Sequence, residues 1–320
     1  MNEARVQCSA YTRQSSVPHS LRRRAGTWLA LIVMILGAAG MAYPYLFALG
    51  GSLKSRAEFT SARDALIPPR LHPAKLIDRY ALGHADPAYD AEMKQWPVWR
   101  NYVEAIVYGG IDRFIGNSLV YALILTGVSL FFNILAAYAF ARMRFPGRDL
   151  LFGLLLSTMM IPHTVLLIPQ FLVIQRLGLV DQPLGVVLPG FAGAFGIFLM
   201  RQFFLNIPAD LEDAARIDGC TRWGILWKII APISRSAIIT LGLFTFMGAW
   251  NAFEWPLVVL SNEDLYPLTV GLALFRDHNQ LDWPRVLAAG VIGSFPLILL
   301  FFWAQRFLVG GISLSGMKAQ

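Results

Sequence analysis

Charged residues are scarce in this chain of 320 residues: only 15% are Asp, Glu, Lys or Arg, while 56% are hydrophobic. Soluble domains carry charge on roughly a quarter of their residues, so the composition argues against an ordinary soluble protein. Cysteine is almost absent, with Cys8 and Cys220 alone. Both fall on the side that we assign below to the cytoplasm, so we expect neither a disulfide nor a structural metal site.

The sequence also lacks the motifs of an enzyme. No His, Cys and Glu residues are grouped with metal-ligand spacing, and no nucleophile motif stands out. A Gly-x4-Gly-Lys-Ser/Thr loop is missing, as is any Gly-Lys pair, so we do not expect the chain to hydrolyse ATP. No short-period repeat is present, which excludes solenoid architectures. We expect a protein that is not an enzyme and binds no cofactor or metal itself.

Long apolar runs replace the missing charge. An uncharged run of about 18 or more residues predicts a transmembrane helix, and in lipid a helix satisfies its own backbone polar groups. Such runs cover Trp28–Leu53, Phe114–Ala141, Leu150–Gln175, Gln182–Met200, Ser236–Phe253 and Val286–Gln305. We therefore predict an all-α membrane protein with six transmembrane helices.

The positions of the basic residues predict the topology. The net charge is +7, and arginines gather before the first run, between the second and third, and between the fourth and fifth. Cytoplasmic segments are enriched in Lys and Arg, so both termini and the segment 201–235 are expected in the cytoplasm. The excess of basic residues thus indicates the topology and not nucleic-acid binding. The run at Trp28 is also too long for the 7–15-residue core, roughly, of a secretory signal.

The expected organisation follows from these runs. It comprises a cytoplasmic tail 1–26, a first transmembrane helix 27–50, an external loop 51–113, a core 114–309 with five more helices, and a cytoplasmic tail 310–320. The external loop is rich in proline and charge without a clear period, which indicates a functional or disordered loop. Prolines and glycines in the third and fourth runs fit either a translocation pathway or ordinary helix packing.

The charged segment 201–235 predicts two helices. Asn206 is placed to cap the first and Pro208 to occupy its first turn. Acidic residues follow, which the helix dipole favours, and Gly219 is expected to stop the helix. Leu211, Ala214 and Ala215 share one narrow face that fits a groove in a partner. A second, apolar helix is expected from Thr221 to Ile230, ended by Pro232.

This segment resembles the EAA loop of ABC importer permeases. That loop has Glu-Ala-Ala, three residues, Gly, nine residues and Ile-x-Leu-Pro; this chain has Asp213-Ala214-Ala215, Gly219 and Ile229-Ile230-Ala231-Pro232 at the same spacings. It departs at Asp213 and Ala231. Further blocks, such as 136–147 and Trp250–Leu257, resemble carbohydrate-uptake permeases of the maltose-permease G-subunit type. The glycerol-3-phosphate permeases of the same group match about as well.

The resemblance implies a type I ABC importer permease in the inner membrane of a bacterium. Its implied partners are a second homologous permease, two ATP-binding subunits that use ATP and Mg²⁺, an external solute-binding protein and membrane lipid, but no nucleic acid. The implied substrate is a sugar or sugar-like solute, with glycerol-3-phosphate as an alternative. Contact with the ATPase would involve Leu211, Glu212, Asp213, Ala214, Ala215, Gly219, Ile229 and Pro232.

Polar residues within the runs, or directly after one, are candidates for the substrate pathway: Asn117, Asn133, Gln170, Trp250, Asn251 and Glu254. The alternative is that they satisfy hydrogen bonds between helices. An ion-coupled secondary transporter would place ionisable groups at mid-membrane. The runs offer mainly His163 and Glu254, so this rival is less favoured.

Overall fold

The computed structural model describes residues 19–316 except 63, 74–90, 92, 108 and 275–281, with the backbone alone for 19–26 and 308–316. The described part is built of helices and turns without a strand, as predicted. In chain order its α-helices are α1 (His19–Ser52), α2 (Arg56–Ser61), α3 (Arg100–Val107), α4 (Ile111–Arg142), α5 (Arg148–Thr158), α6 (His163–Arg176), α7 (Pro183–Val187), α8 (Ala194–Leu205), α9 (Asp210–Ile217), α10 (Arg222–Ile225), α11 (Ala231–Ile233), α12 (Arg235–Trp250), α13 (Glu254–Val259), α14 (Leu268–Leu274) and α15 (Trp283–Gly316).

Three helices of the described chain are long and apolar enough to cross a membrane by themselves, namely Thr27–Ser52 of α1, all of α4 and Trp283–Phe307 of α15. Three bent pairs reach the same length and composition together: α5 with α6, Pro183–Gly190 with α8, and Arg222–Ile233 with α12. The described residues therefore hold between three and six candidate spans. The predicted multi-pass helical architecture is confirmed at this level.

The third predicted span, Leu150–Gln175, is not one straight helix. Its halves α5 and α6 meet at an angle of 104°. Pro162 lies at the break, where it lacks an amide and disfavours helical backbone in the residue before it. The fourth predicted span bends by 43° between Gly190 and Ala194.

The second predicted helix of the charged segment is longer than expected. It runs from α10 through a π-helical turn (Leu226–Ile230) into α11, and then meets α12 at 81°. Thr221 caps it by accepting a hydrogen bond from the Gly224 amide. The helical backbone ends at Ile233, one residue after Pro232, which the sequence predicts to end it.

Helix α4 lies at the centre of the bundle and packs along both α8 and α12. Ala137 and Tyr138 of α4 are buried with Met200 and Phe204 of α8 in the largest apolar core. Helix α1 packs against α15, and its apolar window is not buried inside the chain. Unburied apolar helix faces of this kind are suited to lipid or to another membrane subunit.

The predicted loop 51–113 contains ordered structure where it is described: α2, a 3₁₀ turn (Pro69–Leu71) and α3. The Asn101 side chain donates to the carbonyls of Ser52 (2.7 Å) and Lys54 (2.8 Å). Arg285, at the start of α15, contacts Glu104 at 2.5 Å. These polar contacts attach the segment to the ends of α1 and α15. Hydrogen bonds and ion pairs therefore order a segment for which the hydrophobic pattern predicts no regular structure.

The helical bounds differ from the predicted organisation at both ends. Helix α1 begins at His19, within the predicted tail 1–26, and α15 continues to Gly316, beyond residue 309. Residues 1–18 and 317–320, parts of the two predicted tails, lie outside the described residues.

Candidate functional site

The first helix of the charged segment, α9, begins later than predicted. Its N-cap is Ala209, which makes no side-chain capping bond. The predicted cap, Asn206, instead ends α8, where its backbone N–H donates to the Phe203 carbonyl at 3.2 Å. The predicted stop is confirmed: Gly219 has φ of +79°, a left-handed conformation that glycine adopts without strain. We call α9 the coupling helix, after the contact with the ATPase that the sequence resemblance implies.

A buried ion pair joins the coupling helix to the central helix. Glu212 is 3% exposed, and its carboxylate oxygen lies 2.9 Å from Nε of Arg142, the last residue of α4. The Nε–H does not point at that oxygen, so the contact is an ion pair and not a directed hydrogen bond. Arg142 Nη2 also donates to the carbonyls of Phe204 (2.6 Å) and Ile207 (2.5 Å). One arginine therefore fastens the ends of α4 and α8 and the coupling helix together.

The exposed face of the coupling helix differs from the predicted one. Ala215 is only 6% exposed and packs into the core with Ile207 and Ile225, so it does not belong to an accessible docking face. Leu211 and Ala214 are exposed, and Ile217 is exposed at 87%. Ile217 was missed by the sequence argument, although an apolar residue three positions after Ala214 lies on the same side of a helix. The accessible apolar face is thus Leu211, Ala214 and Ile217.

The remaining coupling candidates lie in different surroundings. Asp213 is exposed and pairs with Arg216 of its own helix at 3.1 Å. Ile229, within the π-helical turn, is half-buried against the core, and Pro232 is exposed. In the same turn the Trp227 ring stacks on Phe131 of α4, with ring centres 6.2 Å apart. The second half of the motif therefore attaches the segment to the bundle.

A cavity of about 900 Å³ lies between α4, α6, the Pro183–Gly190 segment and the Trp250–Pro256 break. Three of the six predicted pathway residues line it: Gln170, Asn251 and Glu254. His163, at the start of α6, lines it as well. Residues from four separate apolar runs therefore meet at one cavity.

The other three pathway candidates make hydrogen bonds between helices and do not line the cavity. Asn117 donates to the carbonyls of Asp264 and Tyr266, at 2.7 and 3.0 Å. Asn133 donates to Ser129 and accepts from the Gly193 amide, at 2.9 and 3.0 Å. The indole of Trp250 is buried and donates to the carbonyl of Gly293. These contacts correspond to the alternative role that the sequence left open.

Metal-ligating side chains are dispersed in the chain as far as it is described. No group of three or more His, Cys, Asp or Glu residues there is arranged to hold a metal ion.

Comparison with known proteins places this architecture among transporters. The family model described as "Binding-protein-dependent transport system inner membrane component" matches residues 129–313. The arabinooligosaccharides transport system permease protein AraQ of Halalkalibacterium halodurans is 36% identical over 203 residues, which are 63% of this chain and 73% of AraQ. The sulfoquinovosyl glycerol transport system permease protein SmoH of Agrobacterium fabrum is 34% identical over 224 residues, 69% of this chain and 79% of SmoH.

Two further comparisons agree. The sn-glycerol-3-phosphate transport system permease protein UgpE of Brucella abortus is 33% identical over 222 residues, covering 66% of this chain and 78% of UgpE. A chain in the crystal structure of a bacterial ABC transporter involved in the import of the acidic polysaccharide alginate superposes with a TM-score of 0.73 and 26% identity, over 90% of this chain and 98% of that one. The resemblance drawn from the EAA-like spacing is confirmed. The chain belongs to the family of binding-protein-dependent transport system inner membrane components, and it is a multi-pass permease of an ABC importer and not an enzyme.

Proposed function

We propose that the chain is one of two permease subunits of an importer for a sugar or sugar-like solute. In this proposal an external binding protein delivers the solute, and two ATPase subunits below the membrane drive its release. The observation that carries the proposal is the coupling helix, with an apolar exposed face and a buried anchor on α4. The names of AraQ and SmoH support a saccharide class of solute.

The proposed topology has six spans, with each bent pair counted as one. Both termini and the segment 201–235 lie in the cytoplasm, and the described part of 51–113 lies outside. The distribution of arginines supports this orientation. The exposed face of the coupling helix then points to the compartment that holds ATP.

The coupling step is a rigid-body movement. When the ATPase subunits close on ATP, a cleft on one of them would grip Leu211, Ala214 and Ile217 of the coupling helix. Because Arg142 joins Glu212 to the carbonyls of Phe204 and Ile207, a pull on the helix acts on α4 and α8 together. Packed elements with two discrete arrangements transmit such displacements, whereas a loose loop would not.

The solute path would run past the cavity lined by Gln170, Asn251 and Glu254. The Pro162 break leaves polar backbone groups at this position, and irregular backbone is tolerated within a membrane where it lines a wet cavity. Glycerol-3-phosphate is the second candidate solute, on the strength of the similarity to UgpE.

The test is uptake by the assembled importer in proteoliposomes that contain ATP. We expect ATP-dependent accumulation of a radiolabelled oligosaccharide such as arabinotriose only when the partner permease, the ATPase and the binding protein are all present. A reporter fused at Gly219 should be cytoplasmic, and the purified chain alone should hydrolyse no ATP. An external reporter signal or proton-driven uptake without ATP would contradict the proposal.

A further inference from the structure

The charges that line the cavity distinguish between the neutral and the anionic solutes that the names of the relatives suggest. Glu254 is its single acidic residue, and no Lys or Arg is among the described residues that line it. Proteins that bind phosphate, sulfonate or carboxylate groups usually supply Arg, Lys or several backbone amides. A cavity with a carboxylate and no such cation is poorly suited to an anion.

Several polar groups of the cavity are free to bind a ligand. The side chains of His163, Gln170 and Glu254 make no hydrogen bond or ion pair within the described part of the chain. The Asn251 amide donates to the Met247 carbonyl, which leaves its side-chain oxygen available. Donors and acceptors of this kind match the hydroxyl groups of an uncharged saccharide.

Apolar surface accompanies these polar groups. The rings of Phe195 and Phe253 both line the cavity and are both exposed. Binding sites for small molecules combine aromatic walls with a few placed polar groups, and the C–H faces of a sugar ring pack well on aromatic rings. The face of an aromatic ring is negative and does not attract an anion.

Two helix N-termini at the cavity favour an anion. Helix α6 begins at His163 and helix α8 begins at Ala194, and both residues line the cavity; a helix N-terminus supplies roughly half a positive charge. The carboxylate of Glu254 carries about the charge of the two N-termini together, with the opposite sign. With no Lys or Arg among the described lining residues, the cavity therefore offers an anion no net positive charge while Glu254 is present.

Resting on the proposed function, we propose that this cavity admits an uncharged saccharide and disfavours anionic solutes, with Glu254 setting the preference. Repulsion between two like unit charges about 6 Å apart, in an effective dielectric constant of about 20, lowers a binding constant roughly a hundredfold. The chain would then resemble AraQ in the solute it carries, and differ from permeases for phosphate, sulfonate or uronate compounds.

The test uses the full importer in proteoliposomes and matched pairs of solutes. Each pair is a neutral oligosaccharide, arabinotriose or cellotriose, and the aldonic acid made by oxidising its reducing end. We expect kcat/KM for the neutral member to exceed that of the acid at least about tenfold. Glu254→Gln should reduce this ratio about tenfold, and Glu254→Lys should reduce it further. Because the binding protein is unchanged, the difference between variants isolates the contribution of the permease.

Glu263→Gln is the matched control, because Glu263 is exposed and does not line the cavity. It should leave the ratio unchanged. The inference is overturned if both Glu254 variants keep the wild-type ratio, or if the wild type prefers the acid. ATP-dependent uptake of neither member of any pair would instead refute saccharide import itself, and with it the inference.

Discussion

Replacing Glu212 by glutamine should loosen the coupling helix while leaving the rest of the bundle folded. The substitution keeps the size of the side chain and removes its charge. Arg142 then remains, largely buried, without the carboxylate that lies 2.9 Å from its Nε. The pair is 12% and 4% exposed at its two side chains, so water replaces little of the lost interaction.

The expected cost is about 3 kcal/mol, at the lower end of the roughly 3–5 kcal/mol lost when one partner of a buried pair is removed. The lower end applies because Arg142 keeps two carbonyl acceptors, on Phe204 and Ile207. At 1.36 kcal/mol for each tenfold change in an equilibrium constant, this cost raises the constant for opening of the coupling helix about a hundredfold. The helix should therefore open about a hundred times more often.

Hydrogen exchange on the assembled importer measures this opening directly. We expect the protection of backbone amides in 212–219 to fall about a hundredfold in Glu212→Gln, if local opening limits their exchange. ATP hydrolysis should continue while solute uptake falls, because a loose helix transmits little movement. The neighbouring Asp213→Asn is the matched control: its carboxylate is 63% exposed and pairs with an exposed arginine, which is worth at most about 1 kcal/mol.

Two results would refute this reasoning. Protection of the Glu212→Gln helix within about twofold of wild type would show that the ion pair does not anchor it. An equal loss in Asp213→Asn would show that burial is not what distinguishes the two carboxylates.

Three other changes test separate parts of the structure. Ile217→Glu, on the exposed face of the coupling helix, should abolish ATP-driven uptake without lowering the thermal stability of the chain in detergent; normal uptake would exclude this face from the ATPase contact. Gly196→Ala should destabilise the chain by about 1–3 kcal/mol, because the new Cβ would lie 2.4 Å from Nδ2 of the buried Asn133. Gly153→Ala, whose Cβ meets nothing within 4 Å, should not destabilise it, and equal melting temperatures for the two variants would contradict the packing argument. Burial tends to raise the pKa of Glu104, but the hydrogen bonds and charges of two neighbouring arginines outweigh it and hold that pKa below its ordinary value. This depressed pKa stabilises the segment around α3 at pH values above the pKa of the unfolded carboxyl, about 4.3, and the stabilisation is lost as the pH falls through the folded value. Hydrogen exchange in 100–107 should therefore accelerate on acidification in the wild type and depend less on pH in Glu104→Gln; an identical pH profile in both would refute the assignment.

The sequence alone was sufficient for features that depend on neighbouring residues. Long uncharged runs predict membrane helices, because lipid offers backbone groups no other partner. Asp213-Ala214-Ala215 and Gly219 were recognised because helix spacing and a left-handed glycine are local properties. The family followed from these residues and is confirmed by the comparisons.

Features that depend on packing were not predictable in the same way. Glu212 and Asp213 are adjacent acidic residues with similar helix propensities, and only the position of Arg142 at the end of α4 makes one a buried anchor and leaves the other exposed. The inward direction of Ala215 follows from the same arrangement.

The cavity shows this difference between local and tertiary information most clearly. In the sequence, six residues were candidates for a pathway, and each could equally satisfy hydrogen bonds between helices. The fold separates them into two groups. Asn117, Asn133 and Trp250 make hydrogen bonds to other elements. Gln170, Asn251 and Glu254 line the same cavity. The sequence by itself determined the membrane helices, the coupling motif and the family. Tertiary structure alone decided which polar groups were satisfied by neighbouring helices and which remained available to a solute, because that depends on contacts between residues far apart in the chain.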